Sequence, residues 1–255
     1  MRTERKGHAE AEPDPEHRQD RDGSALSRRA ERIYELLVEA YGIPPWEPDG
    51  DALGGLIATI LSQHTSDVNS ERAYAQLVRT FPTWEAVRDA PVAMVAGAIR
   101  QGGLAQVKAE RIQLILRELS AQLDGAPLSL DAIARLSLEE ALAYLQTLPG
   151  VGPKTAACVL LFSLGQPAFP VDTHVWRVTR RLGLIGSKES AEAAHTSLLR
   201  LIPPSQRHTM HINLIRHGRT ICSARRPKCS TCPLRSECRY YWDSVASERS
   251  IRASS

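Results

Sequence analysis

The spacing of apolar residues follows the period of an α-helix in three separate parts of the chain. Gly42 is placed to close the first helix and Asp51 to cap the second, and Ser137 with Glu140 has the spacing of a capping box. No convincing run alternates with the period of a strand. The pattern therefore predicts an all-α protein of roughly ten to twelve short helices. The three periodic sets are Ile33, Leu36, Leu37 and Ala40; Leu53, Leu56, Ile57, Ile60 and Leu61; and Ile112, Ile115, Leu116 and Leu119.

The two ends of the chain differ in composition from the part between them. Residues 1–25 are polar and mixed in charge, and residues 244–255 are rich in serine, so both are predicted to be disordered tails. The 255 residues, 42% of them hydrophobic, suffice for one large or two small domains. No run approaches the ~20 apolar residues of a membrane span, and no signal peptide is evident. We expect a cytoplasmic protein with no membrane association.

Basic residues are unevenly distributed. The first 22 residues hold seven acids and five bases, which leaves 27 bases and 22 acids from the totals of 32 and 29. Residues 216–239 hold seven bases and a single acid, Glu237. A local positive patch of this kind favours the binding of phosphate groups.

The sequence LPGVGPKTA at residues 148–156 has the character of a tight turn between two helices. Pro153 suits the first position of a helix, which leaves the amides of Gly150, Val151 and Gly152 able to face an anion such as a DNA phosphate. A simple helix–helix turn is the alternative interpretation. The basic surroundings favour phosphate.

Lys154 lies in the first turn of the helix that follows, where the helix dipole is positive and a lysine gains no stability. Positive potential and partial burial lower the pKa of an amine, and such an amine can form a Schiff base with a sugar carbon. The other interpretation is a solvated lysine that contacts phosphate. The residues alone do not separate these two.

Asp172 follows eighteen residues later, at the position of a helix N-cap. Most such aspartates are only caps. A carboxylate that shares a cleft with Lys154 can also deprotonate the amine or stabilise positive charge on a sugar. His174 lines the same cleft or lies on the helix surface, and we favour the surface.

Four cysteines have the spacing C-x6-C-x2-C-x5-C. This spacing fits a thiolate-bound iron–sulfur cluster better than zinc, which remains the alternative. A fifth cysteine, Cys158, is predicted to be a small core residue. The loop after the first cysteine carries Arg225, Arg226 and Lys228, which we expect to contact DNA. The four cysteines are Cys222, Cys229, Cys232 and Cys238.

Three motifs in order along the chain resemble the endonuclease III branch of the helix-hairpin-helix DNA glycosylases, and the similarity spans nearly all of residues 53–242. The resemblance implies two helical lobes with DNA in the groove between them. A six-helix barrel would cover 53–165, with the hairpin at about 141–164, and a cluster lobe would combine 26–52 with 166–243. The motifs are LPGVGPKTA, VDTHVWRV and HGRTIC.

The resemblance also implies a chemistry. Lys154 matches the catalytic lysine of the family and Asp172 its catalytic aspartate, and the four cysteines match the ligands of one [4Fe-4S] cluster. The implied protein is a monomer that removes damaged pyrimidines from double-stranded DNA. The damaged base is flipped out, Lys154 attacks the sugar C1′, and β-elimination nicks the strand at the abasic site.

The resemblance also implies that two loops of this chain contact DNA. His64 falls where relatives commonly have a glutamine that fills the gap left by the flipped base, and Leu104 falls on an apolar wedge. The alternatives are an ordinary loop residue for His64 and a core residue for Leu104. Asp67 matches a residue near the family's pocket, or it caps the next helix.

Other functions fit parts of the sequence. A monofunctional glycosylase shares the hairpin, the aspartate and the cluster, but such relatives usually lack the lysine. A DNA-binding module without catalysis would need neither Lys154 nor Asp172. The segment 123–148 is longer than in compact relatives, and we expect one or two added helical turns there.

Overall fold

A computed structural model describes residues 15–124 and 126–244 of the chain, with side chains from residue 23 onward. These residues form helices and loops without a strand, which confirms the predicted all-α class. Residues 239–244 are also helical. The other α-helices of the described residues are α1, whose described part is Pro15–Tyr41, α2 Ala52–Ser62, α3 Asp67–Thr80, α4 Trp84–Asp89, α5 Val92–Ala98, α6 Ala105–Gln122, α7 Leu138–Thr147, α8 Pro153–Cys158, α9 Thr173–Leu182, α10 Ala191–Leu201 and α11 Arg207–Thr220.

Shorter helical turns connect the α-helices. A π-helical turn, Val159–Ser163, continues α8 directly. The segment that was expected to gain a helical turn contains the 3-10 helix Asp131–Arg135, where Ile133 is buried in the core. The remaining 3-10 helices are Arg100–Gly102, Pro204–Gln206, Cys229–Thr231 and Arg235–Glu237.

The predicted helix ends are confirmed. Gly42, with a φ of 77°, follows the end of α1, and its amide donates to the Val38 carbonyl. Asp51 accepts a hydrogen bond from the Gly54 amide at 2.8 Å and so caps α2. Ser137 and Glu140 form a complete capping box at the start of α7. Each cap satisfies backbone groups that a helix end leaves without partners.

The prediction of a disordered tail over residues 1–25 is wrong for residues 15–25, which belong to α1. Ala30 is buried against the second core described below, and Arg29 donates to the carbonyls of Leu182 and Glu237. These tertiary contacts outweigh the local composition. Ser244 is helical as well, while residues 1–14 and 245–255 lie outside the described residues.

The helices surround two hydrophobic cores. The first core contains residues between Ala52 and Ala168, and we call the helices around it the first lobe. The second core contains residues from α1 and from Phe169 onward to Cys238, and it defines the second lobe. The chain therefore passes from one lobe to the other between Ala168 and Phe169. In the part of the chain that the structure describes, no helix is long and apolar enough to cross a bilayer.

Candidate functional site

An open groove of about 1360 Å³ runs between the two lobes. The first lobe contributes residues 59–67, at the end of α2 and in the loop after it, together with Lys154 and Cys158 of α8. The second lobe contributes the start of α9 and the inner face of α11. The predicted residues His64, Asp67, Lys154, Asp172 and His174 all line this groove.

Lys154 is the second residue of α8 and is half-buried at the wall of the groove. One turn later lies Cys158, whose thiol is buried. Burial raises the pKa of that thiol, and the Lys154 ammonium opposes the rise through its charge and a hydrogen bond. The negative charge of Asp172 also acts on Cys158. The charges of Lys154 and Asp172 therefore both act on the same buried thiol, although the two residues come from different lobes.

Asp172 ends an extended segment and caps α9, as predicted, because its Oδ1 accepts a hydrogen bond from the Val175 amide at 2.7 Å. The segment before it is held by α11. His211 donates from Nδ1 to the Pro170 carbonyl at 2.9 Å, and Arg207 donates to the Pro167 carbonyl. Hydrogen bonds to the backbone before Asp172 and the capping bond from the residues after it thus fix the position of the carboxylate.

His211 is a residue of the groove that the sequence did not reveal. Its ring is buried, and burial lowers its pKa to about 4, against the opposing charge of Asp172. The imidazole is therefore neutral at neutral pH, which agrees with its donation from one ring nitrogen to a carbonyl. Phe162, in the π-helical turn, contacts the rings of both His211 and His208. Trp46 stacks on His208 at a centroid distance of 5.0 Å.

The hairpin between α7 and α8 places its two glycines in different surroundings. Gly150 has a φ of 73°, and a Cβ at this position would lie 2.7 Å from Nε of Arg111. The positive φ therefore favours glycine there, and a larger residue would also have to displace the flexible end of Arg111. Gly152 has an ordinary φ of −91°, and a Cβ there would meet no atom within 4 Å. The fold itself does not require glycine at Gly152.

A small hydrogen-bond network joins the hairpin to the loop at residues 63–66. Arg111 donates to Oε1 of Gln63 at 3.0 Å, and Nε2 of Gln63 donates to the Thr155 hydroxyl at 3.3 Å. Gln63 and Arg111 were not singled out from the sequence, because residues far apart in the chain form this network.

His64 and Leu104 both adopt left-handed backbone conformations, with φ values of 55° and 48°. Such a conformation costs about 1–3 kcal/mol for a residue other than glycine and is found most often at functional positions. Leu104 follows Gly103, whose φ is 69°, and is 58% exposed. The structure thus contradicts the alternative of a core residue for Leu104, which projects into solvent outside the groove lining.

Asp67 and His174 each had two interpretations, and the structure places both residues at the groove. Asp67 is not the cap of α3, because the side chain of Ser66 accepts the capping hydrogen bond; Asp67 instead forms an ion pair with Arg219 of α11 at 3.0 Å. His174 faces the groove rather than only the helix surface, and it packs where α9 crosses α11. A Cβ on Gly218 would lie 2.9 Å from Cβ of His174, so glycine permits this close crossing.

The four cysteines of the motif line one small pocket in the second lobe. All are free thiols, and within the described residues no three His, Cys, Asp or Glu side chains form a site for a single metal ion. Burial raises the pKa of Cys232 to about 11, and the charges of the other three cysteines add to this rise. Four thiolates in this buried pocket therefore need a positively charged group that stabilises their negative charge.

Arg181 of α9 holds the cysteine loop in place. Its guanidinium lies 3.3 Å from Sγ of Cys222 and donates to the carbonyls of Ser223 and Ala224 at 2.7 and 2.8 Å. The basic side chains of that loop are exposed and do not line the groove with Lys154; they are Arg225, Arg226 and Lys228.

Residues 57–204, more than half of the chain, match the model of the HhH-GPD superfamily of base excision DNA repair proteins. The chain belongs to this family. The match includes the hairpin, Lys154 and Asp172, but it ends before the cysteine motif.

Members of the family resemble this chain to different extents. A DNA glycosylase-like protein of Arabidopsis thaliana is 41% identical over 171 residues, which cover 67% of this chain and 57% of that relative. Endonuclease III of Thermotoga maritima is 33% identical over 212 residues, which cover 83% of this chain and 92% of the relative. The chain thus spans little more than half of the plant protein but nearly all of the bacterial one.

A solved structure extends the likeness to the fold. The structure of a trapped endonuclease III–DNA covalent intermediate, an estranged-adenine complex, has a TM-score of 0.71 and 27% sequence identity. The alignment covers 86% of this chain and 98% of that one. Both lobes therefore share their arrangement with an endonuclease III.

Proposed function

We propose that the protein is a base-excision repair enzyme that removes oxidised pyrimidines from duplex DNA and nicks the strand at the resulting abasic site. The observation that carries this proposal is the convergence of Lys154 and Asp172 on one groove from two different lobes. An amine and a carboxylate on the walls of one groove are the groups that a glycosylase with lyase activity requires. Family membership and the likeness to a covalent endonuclease III–DNA intermediate support it.

The proposed reaction begins with the amine of Lys154 in its neutral form. Its nitrogen attacks C1′ of the flipped nucleotide, the C1′–N bond to the base breaks, and the base leaves with the bonding electrons and takes up a proton. Asp172 stabilises the positive charge that develops on the sugar. The nitrogen lone pair then forms the C=N bond of a Schiff base as the C1′–O4′ bond breaks, the sugar ring opens and O4′ takes up a proton. Loss of a proton from C2′ and cleavage of the C3′–O bond expel the 3′ phosphate by β-elimination.

The DNA would lie across the groove and the surfaces beside it. A phosphate can approach the backbone at Gly152, where no neighbouring atom lies within 4 Å of the position that a Cβ would take. A side chain larger than that of glycine would occupy this space. Arg216 and Arg219 line the groove and are placed to contact the DNA backbone. We assign Arg225, Arg226 and Lys228 to the phosphates beyond the groove, because all three are exposed on a loop that Arg181 fixes.

The pocket of the four cysteines fits one [4Fe-4S] cluster. Such a cluster is bound by four thiolates, one from each cysteine, so the sulfur atoms surround it instead of converging on one ion. Cys222, Cys229, Cys232 and Cys238 surround their pocket in this way. A cationic cluster also compensates for the desolvation that raises the pKa of Cys232. When bound, the cluster would fix the basic loop, and the proposed reaction requires no redox chemistry of it.

The cluster can be tested by metal analysis of the purified protein. We expect about four iron atoms per chain and broad visible absorption. In Cys232→Ser the iron content should fall to near zero and the melting temperature should drop, while Cys158→Ser should keep its iron. A colourless protein that contains zinc instead of iron would contradict this assignment.

The function is tested by incubating the wild-type protein with a duplex that carries one thymine glycol, with and without borohydride. Borohydride reduces a Schiff base and leaves the protein covalently joined to the DNA. We expect base release, strand nicking and a covalent adduct. Base release without an adduct would instead indicate a monofunctional glycosylase, and binding without either would indicate a DNA-binding module.

The wedge role of Leu104 has a separate test. Leu104→Ala should slow the removal of a paired lesion by about tenfold to a hundredfold, because the free energy of burying a leucine side chain between bases is lost. Its melting temperature should stay unchanged, since the side chain is 58% exposed. Leu114→Ala is the control, because Leu114 lies in α6, which begins directly after Leu104, and is 50% exposed. Equal rates for both variants would rule out the wedge.

A further inference from the structure

Lys108, in α6, is a buried lysine whose ammonium contacts two backbone carbonyls. The residue is only 4% exposed, and its Nζ donates to the Leu61 carbonyl at 2.7 Å and to the Gly102 carbonyl at 2.8 Å. Burial lowers the pKa of this amine. A buried charge is costly unless its hydrogen bonds are satisfied, so the site is specific for a long donor side chain.

The two carbonyls belong to the starts of the two loops that we assign to DNA distortion. Leu61 lies in the last turn of α2, three residues before His64. Gly102 ends the 3-10 helix Arg100–Gly102, two residues before Leu104. Carbonyl groups at a helix end carry partial negative charge and attract a cation. The single ammonium therefore ties the His64 loop to the Leu104 loop.

The packing around this contact is close. A Cβ added to Gly102 would lie 3.1 Å from Cβ of Ala73 and 3.8 Å from the Leu61 carbonyl oxygen. The two loops thus begin at one closely packed point. His64 and Leu104, with their positive φ values, lie just beyond it.

We propose that Lys108 is a positioning residue that makes the His64 and Leu104 loops enter the duplex as one unit. This inference rests on the proposed function of the groove. A gap-filling residue and a wedge must act on the same base pair at the same time. If the loops moved independently, each would lose conformational freedom on binding, and opening of the base pair would become less favourable.

The test uses full-length Lys108→Met, which keeps an unbranched side chain but removes the charge and the donors. Excision of thymine glycol is measured under single-turnover conditions in two duplexes, one with adenine opposite the lesion and one with an abasic analogue there. We expect a loss of at least about tenfold on the paired lesion and little loss on the unpaired one, where opening costs less. An equal loss on both duplexes would indicate a merely structural role and would overturn the proposal.

A second readout does not depend on catalysis. 2-Aminopurine opposite the lesion becomes fluorescent when it loses its stacking, and this signal is compared in Lys154→Ala and in the double variant Lys154→Ala/Lys108→Met at saturating protein. We expect the double variant to bind DNA but to give a weaker signal. If the two signals are equal, the proposal fails even when excision by the wild type supports the proposed function. If the wild type opens the duplex but releases no base, the proposed function fails and the role of Lys108 stands.

Folding of the variants is checked by thermal melting. If Lys108→Met does not fold, Lys108→Gln replaces it, because a glutamine retains a donor for one of the two carbonyls. The glutamine variant should then show a smaller but still selective loss on the paired lesion. A loss that does not distinguish the two duplexes would again overturn the proposal.

Discussion

Lys154→Ala should abolish both base release and strand nicking, and no covalent adduct should form with borohydride. The amine is the nucleophile of the proposed reaction, and among the described residues that line the groove no other is a lysine. Alanine is favourable in a helix, and the substitution removes a cation from the positive end of α8. We therefore expect a melting temperature equal to or above that of the wild type. DNA binding should persist.

Lys188→Ala is a suitable control, because Lys188 is exposed and does not line the groove. It should form the adduct as the wild type does. The measurement is a denaturing gel of trapping reactions on thymine glycol and on a preformed abasic site. Nicking by Lys154→Ala at the wild-type rate would refute the proposed mechanism, and adduct formation by this variant would show that another amine is the nucleophile.

Local patterns were sufficient to predict the helices and their ends. Asp51, Ser137 and Asp172 act as caps where the sequence placed them, because a cap depends on only a few neighbouring residues. Composition predicted the structure of the N-terminal residues less well than the local patterns predicted the helices. Residues 15–25 were predicted to be disordered but are helical, since α1 continues along the second lobe and Arg29 bonds to two distant carbonyls.

The family resemblance predicted that Lys154 and Asp172 share a groove between two lobes, but not the contacts that build this groove. The spacing of the two residues alone does not place either of them near Cys158. His211 and Lys108 were missed for the same reason, because each acts on a backbone carbonyl that is remote in sequence. A lone histidine or lysine on a helix has no local pattern that distinguishes such a role from a surface position.

A π-helical turn was also beyond prediction. The residues Val159–Ser163 read as a continuation of the apolar helix that begins at Pro153, yet the backbone widens there. The turn places Phe162 against His208 and His211, behind the groove. Such turns often occur at functional sites. Here the turn helps to support the segment that leads to Asp172.

Asp172→Asn separates the two roles of this residue. Asparagine caps helices as well as aspartate does, so its Oδ1 can keep the hydrogen bond from the Val175 amide, and the melting temperature should change little. The substitution removes the negative charge beside Lys154. We expect the rate of base release to fall about 10²- to 10⁴-fold, as is typical when a group that acts on the transition state is lost.

Asp51→Asn is the matched control, because Asp51 also caps its helix by accepting a hydrogen bond from the amide three residues later but lies outside the groove lining. It should leave base release unchanged. Trapping at a preformed abasic site identifies the step that needs the charge, since no base has to leave there. If Asp172 stabilises the departure of the base, Asp172→Asn should lose less activity on the abasic site than on thymine glycol. An equal loss on both would assign the carboxylate to deprotonation of Lys154, because both reactions need a neutral amine.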